Sequence, residues 1–220
     1  MENIKINLGR KALEYIKDKQ IVGLGTGSTA NCFIEELSKA NLNIKAVSSS
    51  IESYNLAKKL NIPLVEIDTI NSIDIYVDGA DQIDDNRNMI KGRGAAFFKE
   101  KILAYNSKKI LIIADFTKKV KKIGNTLLPL EILPFAKNLT VLKLRNLNLI
   151  GEFRKKNNEF VITDSGNFIY DLEIPLIEHP QKIAFVLKHI PGVLETGLFL
   201  DFNPEILIGY EDRIETITNN

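Results

Sequence analysis

Ile21-Val22-Gly23-Leu24-Gly25-Thr26-Gly27-Ser28-Thr29-Ala30 is the stretch on which the fold turns. An apolar opening gives way to alternating glycines, and then Phe33, Ile34 and Leu37 recur at helical spacing. This is a strand running into a glycine-rich turn that opens a helix, the repeating unit of parallel α/β sheets. The glycines let the backbone come close to a ligand. The helix behind them offers unpaired N–H groups and the positive end of its dipole to an anion.

Gly25-x-Gly27-x-x-Ala30 also fits the loose dinucleotide fingerprint, which needs an acidic residue at the end of the second strand to hold the ribose hydroxyls. Here the second strand, Ile44 to Val47, ends in Ser48-Ser49-Ser50, and Glu52 falls inside the next turn, in the first turn of a helix through Tyr54, Leu56, Ala57 and Leu60. Hydroxyls at Thr26, Ser28, Thr29 and Ser48 to Ser50 suit a phosphate monoester or a polyol better than a dinucleotide. The same residues also suit a tight turn with a Ser/Thr cap.

Outward from this unit the alternation continues. Ile4, Leu8, Ala12, Leu13 and Ile16 predict an amphipathic helix over 3–18 that ends near Asp18. A third strand is expected near Pro63 to Ile67, a fourth at Ile73 to Val77, a helix over 95–104 and a further strand at Ile110 to Ala114. That order implies a doubly wound parallel sheet. From Leu127 the pattern changes, marked by Pro129 and Pro134. Strands at 128–133 and 151–154, a hairpin pairing 160–163 with 168–172, a strand at 193–199, and helices at 135–144 and 180–189 give a smaller α+β domain of the split βαβ, ferredoxin-like type. Ile206 to Gly209 then returns to the first sheet. The expected division is 1–126 plus 201–220 for a Rossmann-like domain and 127–200 for the smaller one.

Composition excludes several classes of function. With 220 residues and 45% apolar side chains, a proper core can be filled. Lys plus Arg number 29 against 28 Asp plus Glu, a net charge of +1, which gives no reason to expect nucleic acid or an acidic membrane as partner. No run of membrane-spanning length and no leader pattern is evident, and a single Cys32 excludes an internal disulfide, so a cytoplasmic location is expected. His179 and His189 stand ten residues apart with no Cys/His cluster, which leaves metal catalysis unsupported; they read as surface or capping residues. No Gly-x-Ser-x-Gly elbow occurs. Acid–base chemistry therefore falls to carboxylates and lysines.

Those gather between residues 78 and 101. Asp78-Gly79-Ala80-Asp81 follows the strand 73–77, then come Lys91-Gly92-Arg93-Gly94-Ala95-Ala96 and Glu100-Lys101. Two aspartates three apart in a turn can point into one crevice, Lys91 can neutralise charge developing on an oxygen, and Glu100 can act as general base. Each could instead cap a helix or order a turn. Of the lysines at 118, 119, 121 and 122, Lys118 stands nearest the end of its strand, and the others read as solvated surface.

Gly23-Leu24-Gly25-Thr26-Gly27-Ser28-Thr29-Ala30, Ser48 to Ser50, Tyr76-Val77-Asp78-Gly79-Ala80-Asp81, Lys91-Gly92-x-Gly94-Ala95-Ala96, Glu100-Lys101, Ala114-Asp115-x-x-Lys118 and Pro191-Gly192-Val193-x-x-x-Gly197-Leu198-Phe199 together resemble the type A ribose-5-phosphate isomerase family. The resemblance runs in order over nearly the whole chain. It implies a cofactor-free aldose–ketose isomerase of the non-oxidative pentose phosphate pathway, working through an enediolate and assembled as a homodimer or homotetramer. By the same resemblance Glu100 carries the proton, Asp78 and Asp81 bind the sugar hydroxyls and assist ring opening, and Lys91 steadies the enediolate. Thr26, Gly27, Ser28, Thr29 and Lys118 hold substrate and phosphate with Gly79, Ala80, Gly92, Arg93 and Gly94, and Lys5 joins the phosphate group. Two positions depart from the family pattern: Gln82 where a glutamate is usual, and Arg93 where a glycine is usual. A non-catalytic sugar-phosphate sensor and a nicotinamide-dependent oxidoreductase are the competing readings.

Overall fold

Short β-branched runs separated by amphipathic helices settle into a parallel sheet, because each helix carries the chain back to the end from which the next strand starts. The computed structural model describes residues 1–218. Its first half runs α1 (Glu2–Leu13), β1 (Ile21–Leu24), α2 (Ser28–Lys39), β2 (Lys45–Ser48), α3 (Ile51–Lys59), β3 (Ile75–Asp78), β4 (Gln82–Ile83), β5 (Met89–Ile90), α4 (Phe97–Tyr105) and β6 (Ile110–Asp115). The second continues β7 (Thr126–Ile132), α5 (Lys137–Asn146), β8 (Gly151–Phe153), β9 (Lys155–Lys156), β10 (Glu159–Phe160), β11 (Phe168–Ile174), α6 (Pro180–Lys188), β12 (Val193–Thr196), β13 (Leu198–Phe199), β14 (Glu205–Gly209) and β15 (Ile214–Ile217).

Two compact units result: Met1–Ala80, Lys99–Lys119 and the described residues from Phe202 to Thr218 form the first, Asp81–Phe98 and Val120–Asp201 the second. In the first, the sheet order is β15-β14-β6-β3-β1-β2, parallel except for the antiparallel edge strand β15. Val22, Leu24, Ala46, Ile75, Val77, Leu111 and Ile113 pack with Leu8 of α1 and Phe33 and Ile34 of α2. Leu8 and Phe33 are fully enclosed, and each such side chain contributes about 1.5–3 kcal/mol. The chain leaves β1 for β2 on one side and returns through β3 on the other. β1 and β3 thus flank the topological switch point, where loops part and leave a crevice.

In the second unit, β7, α5, β8, β11, α6 and β12 follow one another with sheet order β12-β7-β11-β8, all antiparallel, which is the ferredoxin-like arrangement. Alternate residues Leu128, Leu130 and Ile132 face Val141 and Leu144 of α5 and Leu187 of α6 in one core. A three-stranded sheet, β13-β5-β4, accompanies it.

Several expected elements came out differently. The first helix ends at Leu13, although Ile16 is still buried beyond it. No strand forms over 63–67: Leu64 makes one isolated bridge to Ala46, and a 3-10 turn, Ile67–Thr69, follows. The expected hairpin is reduced to a bridge between Ile162 and Phe168, because β11 pairs instead with β7 and β8. The strand 193–199 divides into β12 and β13, which belong to different sheets. Residues 81–98 and 120–126 lie with the second unit rather than the first, since β4 and β5 pair with β13.

Candidate active site

The glycine-rich turn and the Asp78 turn both leave the carboxyl ends of adjacent parallel strands, so they meet at the switch point of the first unit. Asp78 is fully buried there. Its Oδ1 accepts the N–H groups of Thr26 (3.2 Å) and Gly79 (2.7 Å), and its Oδ2 accepts a hydrogen bond from the Tyr76 hydroxyl. Gly25 makes this possible: a Cβ there would stand 2.1 Å from Asp78 Cγ and Oδ1. Gly25 therefore gives way to the aspartate side chain, where the sequence had suggested room for a ligand.

Tyr76 ties this cluster together. Two residues before Asp78 on one strand, it presents its side chain on the same face. Burial first, and then the charges of Asp78 and Glu100, push its phenol well above the usual tyrosine range, so it stays a protonated donor. It also hydrogen-bonds Ser49. Thr26 Oγ1 continues the chain of hydroxyls to Ser49 (2.9 Å) and Ser50 (2.7 Å), and Ser50 Oγ caps α3 by accepting the Ser53 N–H at 3.1 Å. Glu100, in the first turn of α4, is buried.

At the start of α2, Gly27 takes the N-cap position with no side-chain cap, and no acidic residue occupies the first turn. The Lys5 ammonium donates to Ser28 Oγ at 2.8 Å. A cation beside uncapped helix N–H groups is an anion-receptive arrangement. Lys118 closes a 3-10 turn at the carboxyl end of β6, which is parallel to β3, and Asp115 caps that turn through the Thr117 N–H at 3.0 Å. Glu52, considered as a ribose ligand, lies in the first turn of α3 and accepts a hydrogen bond from Asn31 at 2.9 Å.

The remaining expected residues belong to the second unit. Lys91 is buried, its N–H bonded to the Gly197 carbonyl at 2.9 Å and its ammonium 5.3 Å from the Phe199 ring centre. Gly92 has φ of +120° and a Cβ there would meet Phe97 and Pro129, so no other residue fits. Arg93 falls outside the left-handed region and its side chain is 74% exposed, so the departure from glycine strains nothing. It adds a contact: its N–H reaches Asp81 Oδ2 at 3.1 Å and its Nε lies 3.5 Å from Asp81 Oδ1. Gln82, the other departure, clamps Gly124, donating to its carbonyl at 2.9 Å and accepting its N–H at 2.8 Å.

Three partners carried no sequence signal strong enough to assign. Tyr76 could have been found from its i, i−2 position relative to Asp78. Arg154, which holds the loop after Lys91, and Asp171, which pairs with Arg154, could not. His179 takes the N-cap position of α6, and His189 is exposed with Nδ1 2.7 Å from the Phe185 carbonyl oxygen. Among the described residues no group of three or more His, Cys, Asp or Glu is placed to hold a metal ion, and no helix is long and apolar enough to cross a membrane.

Residues 45–213 match the family model of ribose 5-phosphate isomerase A (phosphoriboisomerase A). Ribose-5-phosphate isomerase A of Chlamydia felis is 43% identical over 214 residues, covering 94% of this chain and 91% of that one. Ribose 5-phosphate isomerase from Plasmodium falciparum superposes with a TM-score of 0.95 at 31% identity over 100% of both chains. A D-ribose-5-phosphate isomerase solved in complex with phospho-erythronic acid gives a TM-score of 0.93 at 35% identity, over 99% of both chains. With the motifs in order, the fold shared end to end and relatives matched over nearly their full length, this chain belongs to the ribose 5-phosphate isomerase A family.

Proposed function

We propose that this chain interconverts ribose 5-phosphate and ribulose 5-phosphate through an enediolate, with Glu100 as the proton carrier. In the open-chain aldose the C2 proton is acidified by the neighbouring carbonyl. Glu100 removes it, the electron pair moves toward the C1 oxygen to form the enediolate, the C2 hydroxyl proton passes to the C1 oxygen, and the same carboxyl returns a proton to C1 as the C2 oxygen becomes the ketone. No external oxidant or reductant is needed, since C1 is reduced as C2 is oxidised.

In this reading Lys91 stabilises the enediolate oxygen, a term that acts on the transition state more than on bound substrate. Asp78 and Asp81 orient the sugar hydroxyls and assist ring opening. Thr26, Gly27, Ser28, Thr29, Lys118 and Lys5 hold the substrate and its phosphate, with Gly79, Ala80, Gly92, Arg93 and Gly94 lining the approach. The observation that carries the assignment is the uncapped α2 N-terminus with Lys5 at Ser28, two strands' ends from a buried Asp78 and Glu100: an anion seat beside carboxylates in one unit. A phosphorylated sugar acid bound by a 35%-identical relative is the kind of molecule such a seat would take. We further propose a homodimeric or homotetrameric, cytoplasmic enzyme of the pentose phosphate pathway that needs no cofactor. Turnover of ribose 5-phosphate in the presence of a chelator tests the proposal. Absence of turnover, or turnover only with added metal, contradicts it.

A further inference from the structure

We propose that Arg154 is a positioning residue that orients Asp81 through a single peptide group, an inference that rests on the role given to Asp81 above. Arg154 directly follows β8, and its backbone is fixed on both sides, its N–H on the Ile169 carbonyl (2.8 Å) and its carbonyl accepting the Val161 N–H (2.9 Å). Its guanidinium engages Asp171 of β11 with two donors, Nε to Oδ2 at 2.8 Å and Nη2 to Oδ1 at 2.6 Å. That fork fixes the plane of the group and aims the third nitrogen. Nη1 then donates to the carbonyls of Gly92 (2.7 Å) and Arg93 (3.0 Å).

The Gly92 carbonyl and the Arg93 N–H are opposite ends of one planar peptide. Arg154 holds the oxygen end, and the N–H end donates to Asp81 Oδ2 at 3.1 Å. A cation on the carbonyl polarises the peptide and strengthens the N–H as a donor, so the contact both aims Asp81 and reinforces its hydrogen bond. The pair is well sheltered, with side-chain exposures of 19% for Arg154 and 12% for Asp171. By contrast the Arg93 side chain, 74% exposed and 3.5 Å from Asp81, is a surface ion pair of little weight. The orientation of Asp81 is thus set, through the Gly92–Arg93 peptide, by a residue 73 positions away.

The test is a double-mutant cycle on ribose 5-phosphate turnover with Arg154→Ala, Asp81→Ala and the pair, each variant checked for folding by circular dichroism and thermal unfolding. Arg154→Ala alone is expected to lower kcat/KM by about tenfold to a hundredfold, the scale of a misplaced functional group. In the Asp81→Ala background the same substitution should change it by less than about twofold, since the group it aims is gone. If Arg154→Ala does not fold, Arg154→Lys, which keeps the charge but not the fork, and Asp171→Asn replace it in the same cycle. Equal losses in both backgrounds, or no loss in either, overturn the proposal. An Asp81→Ala variant with undiminished activity removes Asp81 from the chemistry and overturns both readings, and that result appears in the single variant before the cycle is closed.

Discussion

Substituting Gly25 by alanine separates two explanations of the glycine-rich turn. In the structure the new methyl would lie 2.1 Å from Asp78 Cγ and Oδ1 and 2.5 Å from its Cβ. Ordinary carbon contacts need about 3.5 Å, so the aspartate must move by more than about 1 Å. The carboxylate cannot do so and keep the Gly79 N–H at 2.7 Å, the Thr26 N–H at 3.2 Å and the Tyr76 hydroxyl. Hydrogen bonds to a charged group are worth about 1.5–3 kcal/mol each, so losing any two costs about 3–6 kcal/mol. For a chain of this size that is a fall in Tm of roughly 6 °C or more. Thermal unfolding and kcat/KM measured together should both fall. In an Asp78→Gly background the three atoms nearest the new methyl are gone, and the same substitution should cost markedly less. A Gly25→Ala protein with unaltered Tm and activity refutes the reasoning. An equal penalty in the Asp78→Gly background would return Gly25 to the role the bare sequence suggested, approach to a ligand.

Three further outcomes follow from named contacts. Gln82→Glu removes the donor to the Gly124 carbonyl and should lower stability by about 1 kcal/mol at pH 7 while leaving kcat unchanged; below about pH 4 the protonated acid can donate again and the difference should close, and equal urea midpoints at pH 7 would contradict the clamp. Tyr76→Phe leaves the buried Asp78 with one donor fewer, a loss of about 1–3 kcal/mol in urea unfolding, and wild-type stability would show the phenol to be idle. Hydrogen bonding to Lys39, followed by the bond to Arg10, holds the Glu36 carboxyl below the usual glutamate range. Its contribution is present above the ordinary value of about 4.3 and is lost as pH falls through the lower folded value, so wild type should exceed Glu36→Gln in stability near pH 7 and lose that margin below about pH 4. A margin that is constant down to pH 3 would rule this out.

What the sequence disclosed follows physical range. The strand-to-glycine-turn-to-helix unit at 21–37 is local, and its periodicity alone places β1 and α2. The segment 63–67 misled because it is apolar with a Pro63 that cannot donate to a ladder, and its pairing stops at one bridge, made by the Pro63 carbonyl and the Val65 N–H on Ala46. β4, β5 and β13 are two residues long, too short to show a period, and they exist because Gly197 admits the Lys91 backbone, a Cβ there standing 2.3 Å from the Lys91 carbonyl oxygen. Asp78, Asp81, Lys91 and Glu100 were legible as carboxylates and a lysine gathered in the stretch that follows one strand. Their supports were not, because Thr26 to Asp78 spans 52 positions and Arg154 to Gly92 spans 62, and no local pattern encodes such pairings.

The proposed mechanism stands or falls on Glu100 as the proton carrier in ribose 5-phosphate isomerisation. Proton NMR of ribose 5-phosphate with the wild-type protein and with Glu100→Gln, in deuterated water containing a chelator, tests it most directly. The wild type should form the ketose with deuterium from solvent appearing at C1, and Glu100→Gln should do so about a hundredfold more slowly or worse, with binding of the substrate little changed. Ketose formation at the wild-type rate by Glu100→Gln, or none by the wild type, would contradict the account.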